Sequence, residues 1–102
     1  MNMNDLVRQA QVMQNKVAKL QAEMAEKTVE TSTGGGMVKV VMNGRQELVS
    51  LAIDPQVATA GDVEMLQDLI VTAVNESVRI TRQSLEREMA NLSGGIKIPG
   101  MF

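Results

Sequence analysis

The stretch VKVVMNGRQELVSLAI, residues 38–53, decides the fold because it places a turn signal between two apolar runs. Asn43-Gly44 is a strong short-range signal for a β-hairpin when such runs flank it. A loop with an even number of residues gathers one apolar row on a single face, which we expect to be the core face: Val38, Val40, Met42, Val49, Leu51 and Ile53.

The hairpin register stays open between two loop lengths. A four-residue loop, which we favour, sets Val40 opposite Val49, whereas a two-residue loop sets Val40 opposite Glu47. The second face is also partly apolar, since it carries Met37, Val41, Leu48 and Ala52. The hairpin therefore needs cover on both faces.

A long helix is predicted over residues 1–26, where apolar residues recur at alternating steps of three and four. This row is a heptad seam: Met3, Leu6, Ala10, Met13, Val17, Leu20 and Met24. So narrow a seam favours pairing with another helix. The alternative, an ordinary amphipathic helix lying on a sheet, usually has a wider apolar stripe.

A second long helix is predicted over residues 62–92, after Asp54-Pro55 ends the last strand, with Asp62 or Thr59 as its N-cap. Its first half is apolar around most of its circumference and can cover a sheet. Its second half, from residue 74, narrows to a stripe that can close on the first helix: Val78, Leu85, Met89 and Leu92, with Thr81 in the same row. We expect these two helices to lie antiparallel as an arm.

The remaining segments complete an α+β fold in the order helix, strand, strand, strand, helix. Residues 27–32 are a weak strand candidate, which places the three-stranded antiparallel sheet within residues 27–53. The run Gly34–Gly36 is predicted to be a flexible joint. A phosphate loop is not predicted here, because the run lacks the Gly-Lys-Ser/Thr ending of that motif. Residues 1–102 are expected to form a single domain that ends in an apolar tail, residues 93–102.

Composition excludes several functional classes. The 102 residues include no Cys and no His, so a disulfide scaffold and a thiolate or imidazole metal site are excluded, and we expect no cofactor. Neutral-pH acid–base catalysis most often uses His, so we do not expect an enzyme. With neither a signal peptide nor a membrane span in the sequence, a soluble cytoplasmic protein is predicted. The net charge of −2 taken alone counts against nucleic acid.

One helix can cover only one face of the predicted sheet. The second apolar surface and the free sheet edge are most economically covered by an identical copy, since two-fold dimers are the commonest oligomers. The alternative is a monomer with a partly hydrated sheet face. A homodimer would carry two arms with a gap between them.

In its ordered set of motifs, the sequence resembles the YbaB/EbfC family of bacterial nucleoid-associated proteins over nearly its whole length. The motifs are QAQVMQ at 9–14, TGGGMVKV at 33–40, Asn43-Gly44, LAIDP at 51–55, DVEMLQDLIVTAVN at 62–75 and GGIKIPGMF at 94–102. The resemblance implies a tweezer-like homodimer in the nucleoid. It also implies binding of double-stranded DNA with broad or weak sequence preference, which organises the nucleoid and affects gene expression, and it identifies no replication or recombination partner.

Given this resemblance, exposed basic residues become candidate DNA contacts. Helical geometry places Arg8, Lys16 and Lys19 on the side of the first helix away from its seam, and Arg79, Arg82 and Arg87 on the outer side or flank of the second. The alternative for both helices is a solvated, ion-paired surface, with Glu76 and Glu86 as the partners on the second. A different class, a prefoldin-like chaperone or protein-interaction module, also fits helix, hairpin, helix and the acidic pI.

Overall fold

The computed structural model describes residues 2–92 of the chain and has the predicted order of long helices and strands. The elements are α1 (Met3–Glu26), β1 (Thr28–Thr33), β2 (Val38–Asn43), β3 (Leu48–Ile53), α2 (Pro55–Thr59) and α3 (Val63–Leu92). The apolar tail, residues 93–102, lies outside the described residues.

Capping side chains fix where the helices begin. The Asn2 side chain accepts the backbone N–H of Asp5 at 2.8 Å, and the Asp62 side chain accepts that of Met65 at 3.0 Å, so Asp62 rather than Thr59 caps α3. The short helix α2 was not predicted. Its cap is Asp54, which accepts the N–H of Gln56 at 2.8 Å, and Pro55 occupies the first turn.

The three-stranded antiparallel sheet has the order β1-β2-β3, but both predicted hairpin registers are wrong. Val40 lies opposite Leu51, and a bulge leaves Val49 unpaired. The loop has an odd number of residues: Asn43 donates to the Glu47 carbonyl at 3.0 Å, and Gln46 adopts a positive φ of 64°. A type I turn followed by a left-handed residue gives this geometry.

The core lies between α3 and the first two strands. Val38, Val40 and Ala73 are buried together, and partly buried residues of α3 pack around them: Leu66, Leu69, Ile70 and Val74. Small polar side chains let α3 approach the sheet closely further along, where Ser77 hydrogen-bonds Thr31 and the buried Thr81 donates to the Ser77 carbonyl at 2.8 Å. Helix α3 therefore stays on the sheet as far as Thr81, seven residues beyond the predicted start of the arm.

Strand β3 is left uncovered by the described residues of the chain. Leu48, Val49 and Leu51 are 50%, 57% and 42% exposed, although Val38 and Val40 on the neighbouring strand are fully buried. The predicted core face is thus confirmed on β2. On β3 the prediction was wrong for Leu48, which was expected on the second face, because the bulge sets Leu48 opposite Met42 on the core face. This face of β3 remains open because α3 packs over β1 and β2.

The hairpin tip joins α1 to the sheet through Gly44. Its N–H reaches the carbonyls of Met24 and Lys27, both at 2.9 Å. A Cβ atom at this position would lie only 2.6 Å from the Met24 oxygen. Glycine is therefore required here by close approach of two backbone segments.

Helices α1 and α3 pair as an antiparallel arm over part of their length, which confirms half of the predicted seam. Leu85 of α3 lines a surface groove together with Met24 of α1, and Leu92 lines another together with Leu20. We use "the arm" for α1 together with residues 82–92 of α3, and "the base" for residues 27–81. The chain extends over 67 × 23 × 16 Å, with a radius of gyration of 19.1 Å. A compact domain of this length has a radius of about 13 Å.

Candidate nucleic-acid interface

The basic residues of α1 lie on an exposed surface of the arm. Arg8, Lys16 and Lys19 all face solvent. Arg8 and Lys16 are two helical turns apart and share a shallow surface groove with the uncharged side chains Gln9, Val12 and Met13. Among the described residues, no ion pair involves any of the three cations. They are therefore free to meet an anionic ligand.

Lys16 and Lys19 also line a second groove, between the two helices of the arm. Its other wall is formed by the end of α3, and the full lining is Lys16, Lys19, Leu20, Glu23, Glu88, Asn91 and Leu92. Two carboxylates thus lie near these lysines and reduce the local positive potential. Sequence reasoning missed Glu88 and Asn91 as neighbours, since helical periodicity gives the face of each helix but not how two helices are rotated and aligned against each other.

Arg79 differs from the other candidates because it has a close acidic partner. Its Nε donates to Glu76 at 3.0 Å, a second guanidinium nitrogen bonds the other carboxylate oxygen, and a third reaches Gln83 at 3.3 Å. This hydrogen bonding lowers the pKa of Glu76 from its ordinary value and raises the pKa of Arg79. Arg79 belongs to the base and is already neutralised, as the ion-paired alternative predicts.

Arg82 and Arg87 occupy the part of α3 that belongs to the arm. Both are exposed, and within residues 2–92 no ion pair reaches either of them, including one from Glu86. The structure therefore divides the six candidates into Arg79, which is paired on the base, and five free cations on the arm: Arg8, Lys16, Lys19, Arg82 and Arg87.

Charge is segregated along the molecule. The arm carries acidic and basic residues in equal number, whereas acidic residues outnumber basic ones on the base. The acidic start of α3, with Asp62, Glu64 and Asp68, is at the far end of that helix from Leu92. Thirty residues of helix separate these ends by about 45 Å. A polyanion held at the free end of the arm is therefore remote from the strongest repulsion.

Other types of site find little support in the part of the chain that the structure describes. No group of three or more acidic, His or Cys side chains there could hold a metal ion, and no buried side-chain polar atom lacks a hydrogen-bond partner. Within residues 2–92, no helix combines the length and the continuous hydrophobicity of a membrane-spanning segment.

Comparison with known proteins identifies the family to which the chain is related. Residues 1–96 match the YbaB/EbfC DNA-binding family. A nucleoid-associated protein of Moorella thermoacetica is 54% identical over 99 residues, which span 97% of this chain and 95% of the relative. One from Thermoanaerobacter pseudethanolicus is 50% identical over 101 residues, 99% of this chain and 91% of the relative.

A solved structure has the same fold. The crystal structure of an uncharacterized protein, HP0035 of Helicobacter pylori, matches with a TM-score of 0.84 at 26% identity and covers 90% of this chain and 97% of its own. Family match, sequence identity and fold agree over nearly all of the chain. This protein therefore belongs to the YbaB/EbfC DNA-binding family.

Proposed function

We propose that this protein is a nucleoid-associated, double-stranded-DNA-binding homodimer, in which paired arms hold the duplex through its phosphates. DNA as the ligand follows from the family, and relatives named nucleoid-associated proteins support the nucleoid as its location. The observation that carries the assignment to the arm is the set of unpaired, exposed cations on it, remote from the acidic base. These comparisons give no support to the prefoldin-like alternative.

Dimerisation is supported by the uncovered strand β3. Leu48, Val49 and Leu51 form an apolar surface that no described residue of the same chain covers, and β3 is an edge strand with unpaired backbone groups. An exposed apolar surface beside a free edge is typical of an interface. A second copy related by a two-fold axis buries both at once and sets two arms at a fixed separation.

DNA binding by such a dimer rests on the phosphate backbone. Arg8, Lys16 and Lys19 of each copy neutralise phosphates, and Arg82 and Arg87 add contacts from the other helix of the arm. Arg79 contributes least, because Glu76 must first release it. Binding of this kind is weakly sequence-dependent and falls steeply with salt, since each neutralised phosphate releases counterions. This is binding rather than catalysis.

A salt titration of DNA binding tests the proposal. The variant Arg8→Glu/Lys16→Glu/Lys19→Glu should lose most of its affinity for a mixed-sequence duplex, and the slope of log K against log salt should fall by about 0.9 for each phosphate contact removed. The matched control, Lys27→Glu/Lys39→Glu/Arg45→Glu, makes the same change in charge on exposed residues of the base. It should bind more tightly than the arm variant.

Sedimentation at matched concentrations checks that both variants keep the oligomeric state of the parent protein. Equal loss of affinity in both variants would mean that net charge, rather than the arm, governs binding. Unchanged binding by the arm variant would place the interface elsewhere.

A further inference from the structure

The N-terminal half of α1 carries an apolar stripe that nothing in residues 2–92 covers. We define the stripe as Met3, Leu6, Ala10 and Met13, the first members of the α1 seam. Met3 is 73% exposed, Leu6 49% and Met13 39%, whereas Leu20 and Met24, further along the same seam, are buried. A heptad seam left open for half its length is an incomplete helix interface.

The stripe begins where α3 ends. Because α1 and α3 are antiparallel, later residues of α3 lie near earlier residues of α1. Leu85 shares a groove with Met24, and Leu92 shares one with Leu20 and Lys16, which are nearer the start of α1. From Lys16 to Met3, α1 continues for about 20 Å beyond the end of α3. A segment that follows Leu92 in the same direction would therefore run over the stripe.

The sequence after Leu92 has the length and composition for this position. Residues 93–102 read SGGIKIPGMF, with apolar side chains at Ile96, Ile98, Met101 and Phe102. Ten extended residues span about 33 Å, which exceeds the roughly 20 Å of exposed α1. Gly94 and Gly95 allow the backbone to change direction, and Pro99 disfavours continuation of the helix. In an extended chain, Ile96 and Ile98 point to the same side.

We propose that residues 96–102 pack in an extended conformation on the apolar stripe of α1 in the same chain. The tail then takes the place of α3 along the outer half of the arm and completes the seam. The stripe lies on the side of α1 away from Arg8, so a docked tail leaves that cation accessible. The proposal concerns the conformation of one subunit and does not depend on DNA binding.

Disulfide trapping tests this contact in the full-length protein, which has no native Cys. The variant Leu6→Cys/Ile98→Cys should form an intramolecular disulfide under mild oxidation at least tenfold faster than Asn4→Cys/Ile98→Cys. Asn4 is an exposed residue at nearly the same height on the opposite side of the helix. All these substitutions except the one in the tail are at exposed positions of α1, so the fold should survive them.

A second measurement does not depend on cysteine chemistry. Ile98→Asp should speed hydrogen exchange of the amides of residues 7–13 by several-fold, because an unsupported terminal helix segment opens readily. Exchange in β2 should not change.

Three results would overturn the proposal. The first is equal cross-linking rates for Leu6 and Asn4. The second is a disulfide that forms only between chains, which would assign the stripe to the tail of a second copy. The third is unchanged amide exchange in Ile98→Asp, which would mean that the tail does not cover α1.

Discussion

The base and the arm differ in how their side chains are packed and in their surface charge. In the base, a few fully buried side chains such as Val38, Val40 and Ala73 fix one arrangement of α3 against the sheet, and the surface is acidic. In the arm, two helices meet along one narrow seam, most side chains face solvent, and the free cations are located there. The base is suited to fixing the geometry of the molecule, and the arm is suited to meeting a large charged ligand.

The difference also shows where each region is incomplete. The base lacks cover over β3, which favours a second copy, and the arm lacks cover over the start of α1, which favours the tail of the same chain. An apolar surface left open by a small domain thus indicates how the molecule is completed.

The junction between base and arm should be the most sensitive point. Gly44→Ala places a Cβ atom against the Met24 backbone and Cβ, at 2.6 and 2.9 Å, which neither can avoid without moving α1. We expect the free energy of unfolding to fall by about 3 kcal/mol. Gly35→Ala is the control: its Cβ meets open space, but its φ of 68° should cost about 1 kcal/mol.

Urea unfolding of the two glycine variants at equal protein concentration checks this. A Gly44→Ala variant no less stable than Gly35→Ala would show that the contact between the hairpin tip and α1 is unimportant.

The open surface of the base should govern association. Leu51→Lys places a charge in the proposed interface and should weaken dimerisation about 100-fold, or about 2.7 kcal/mol, with the subunit still folded. Ser50→Lys adds the same charge to the opposite face of the strand and should have a much smaller effect. Analytical ultracentrifugation over a concentration series measures both. A Leu51→Lys protein as dimeric as the parent would exclude this face as the interface.

One substitution made in both regions compares their packing. Val40→Ala removes two buried methyl groups from the base and should cost about 2 kcal/mol of unfolding free energy. Val12→Ala in the arm removes the same atoms from an exposed site, 47% accessible, and should change stability by less than about 0.5 kcal/mol. Thermal or urea unfolding measures the stability of both variants. Similar losses of unfolding free energy in the two would contradict the proposed difference in packing between base and arm.

The smallest effect should come from releasing Arg79. Glu76→Gln removes the carboxylate that holds this guanidinium, so affinity for DNA should rise about twofold at low salt. The control is Glu64→Gln, which makes the same change at the distant acidic end of α3 and should raise the affinity less. The lowered pKa of Glu76 means that its attraction for Arg79 is present above the ordinary carboxyl pKa and is lost as pH falls through the lowered value. The gain should therefore disappear in acid. No difference between the two variants at neutral pH would show that Arg79 does not contact DNA.

Much of the fold was predictable from local signals. The two long helices, the turn at Asn43-Gly44 and the buried row of β2 follow from periodicity and turn chemistry. The hairpin register could not be predicted in this way, because it depends on the bulge at Val49 and on a left-handed conformation at Gln46. The Asn43 side chain supports that conformation by accepting two backbone N–H groups. Helix α2 was missed although its Asp-Pro start is a recognised capping pattern.

The candidate site was predictable only in part. Exposure of Lys16 and the pairing of Glu76 with Arg79 follow from spacing within one helix. The placement of Glu88 beside Lys16 does not, since it depends on how α1 and α3 pack. Nor could the sequence reveal that α3 stays on the sheet as far as Thr81, because small polar side chains replace the apolar contacts there.

Lysine footprinting of the DNA complex can show which region of the molecule meets the duplex, because the chain contains lysines on both the arm and the base. Lys16 and Lys19 lie on the arm, and Lys27 and Lys39 lie on the base, all four exposed. With saturating duplex DNA at low salt, acetylation of the first two should slow several-fold while the second two react as before. Slower modification of Lys27 and Lys39, with Lys16 and Lys19 unaffected, would contradict the account.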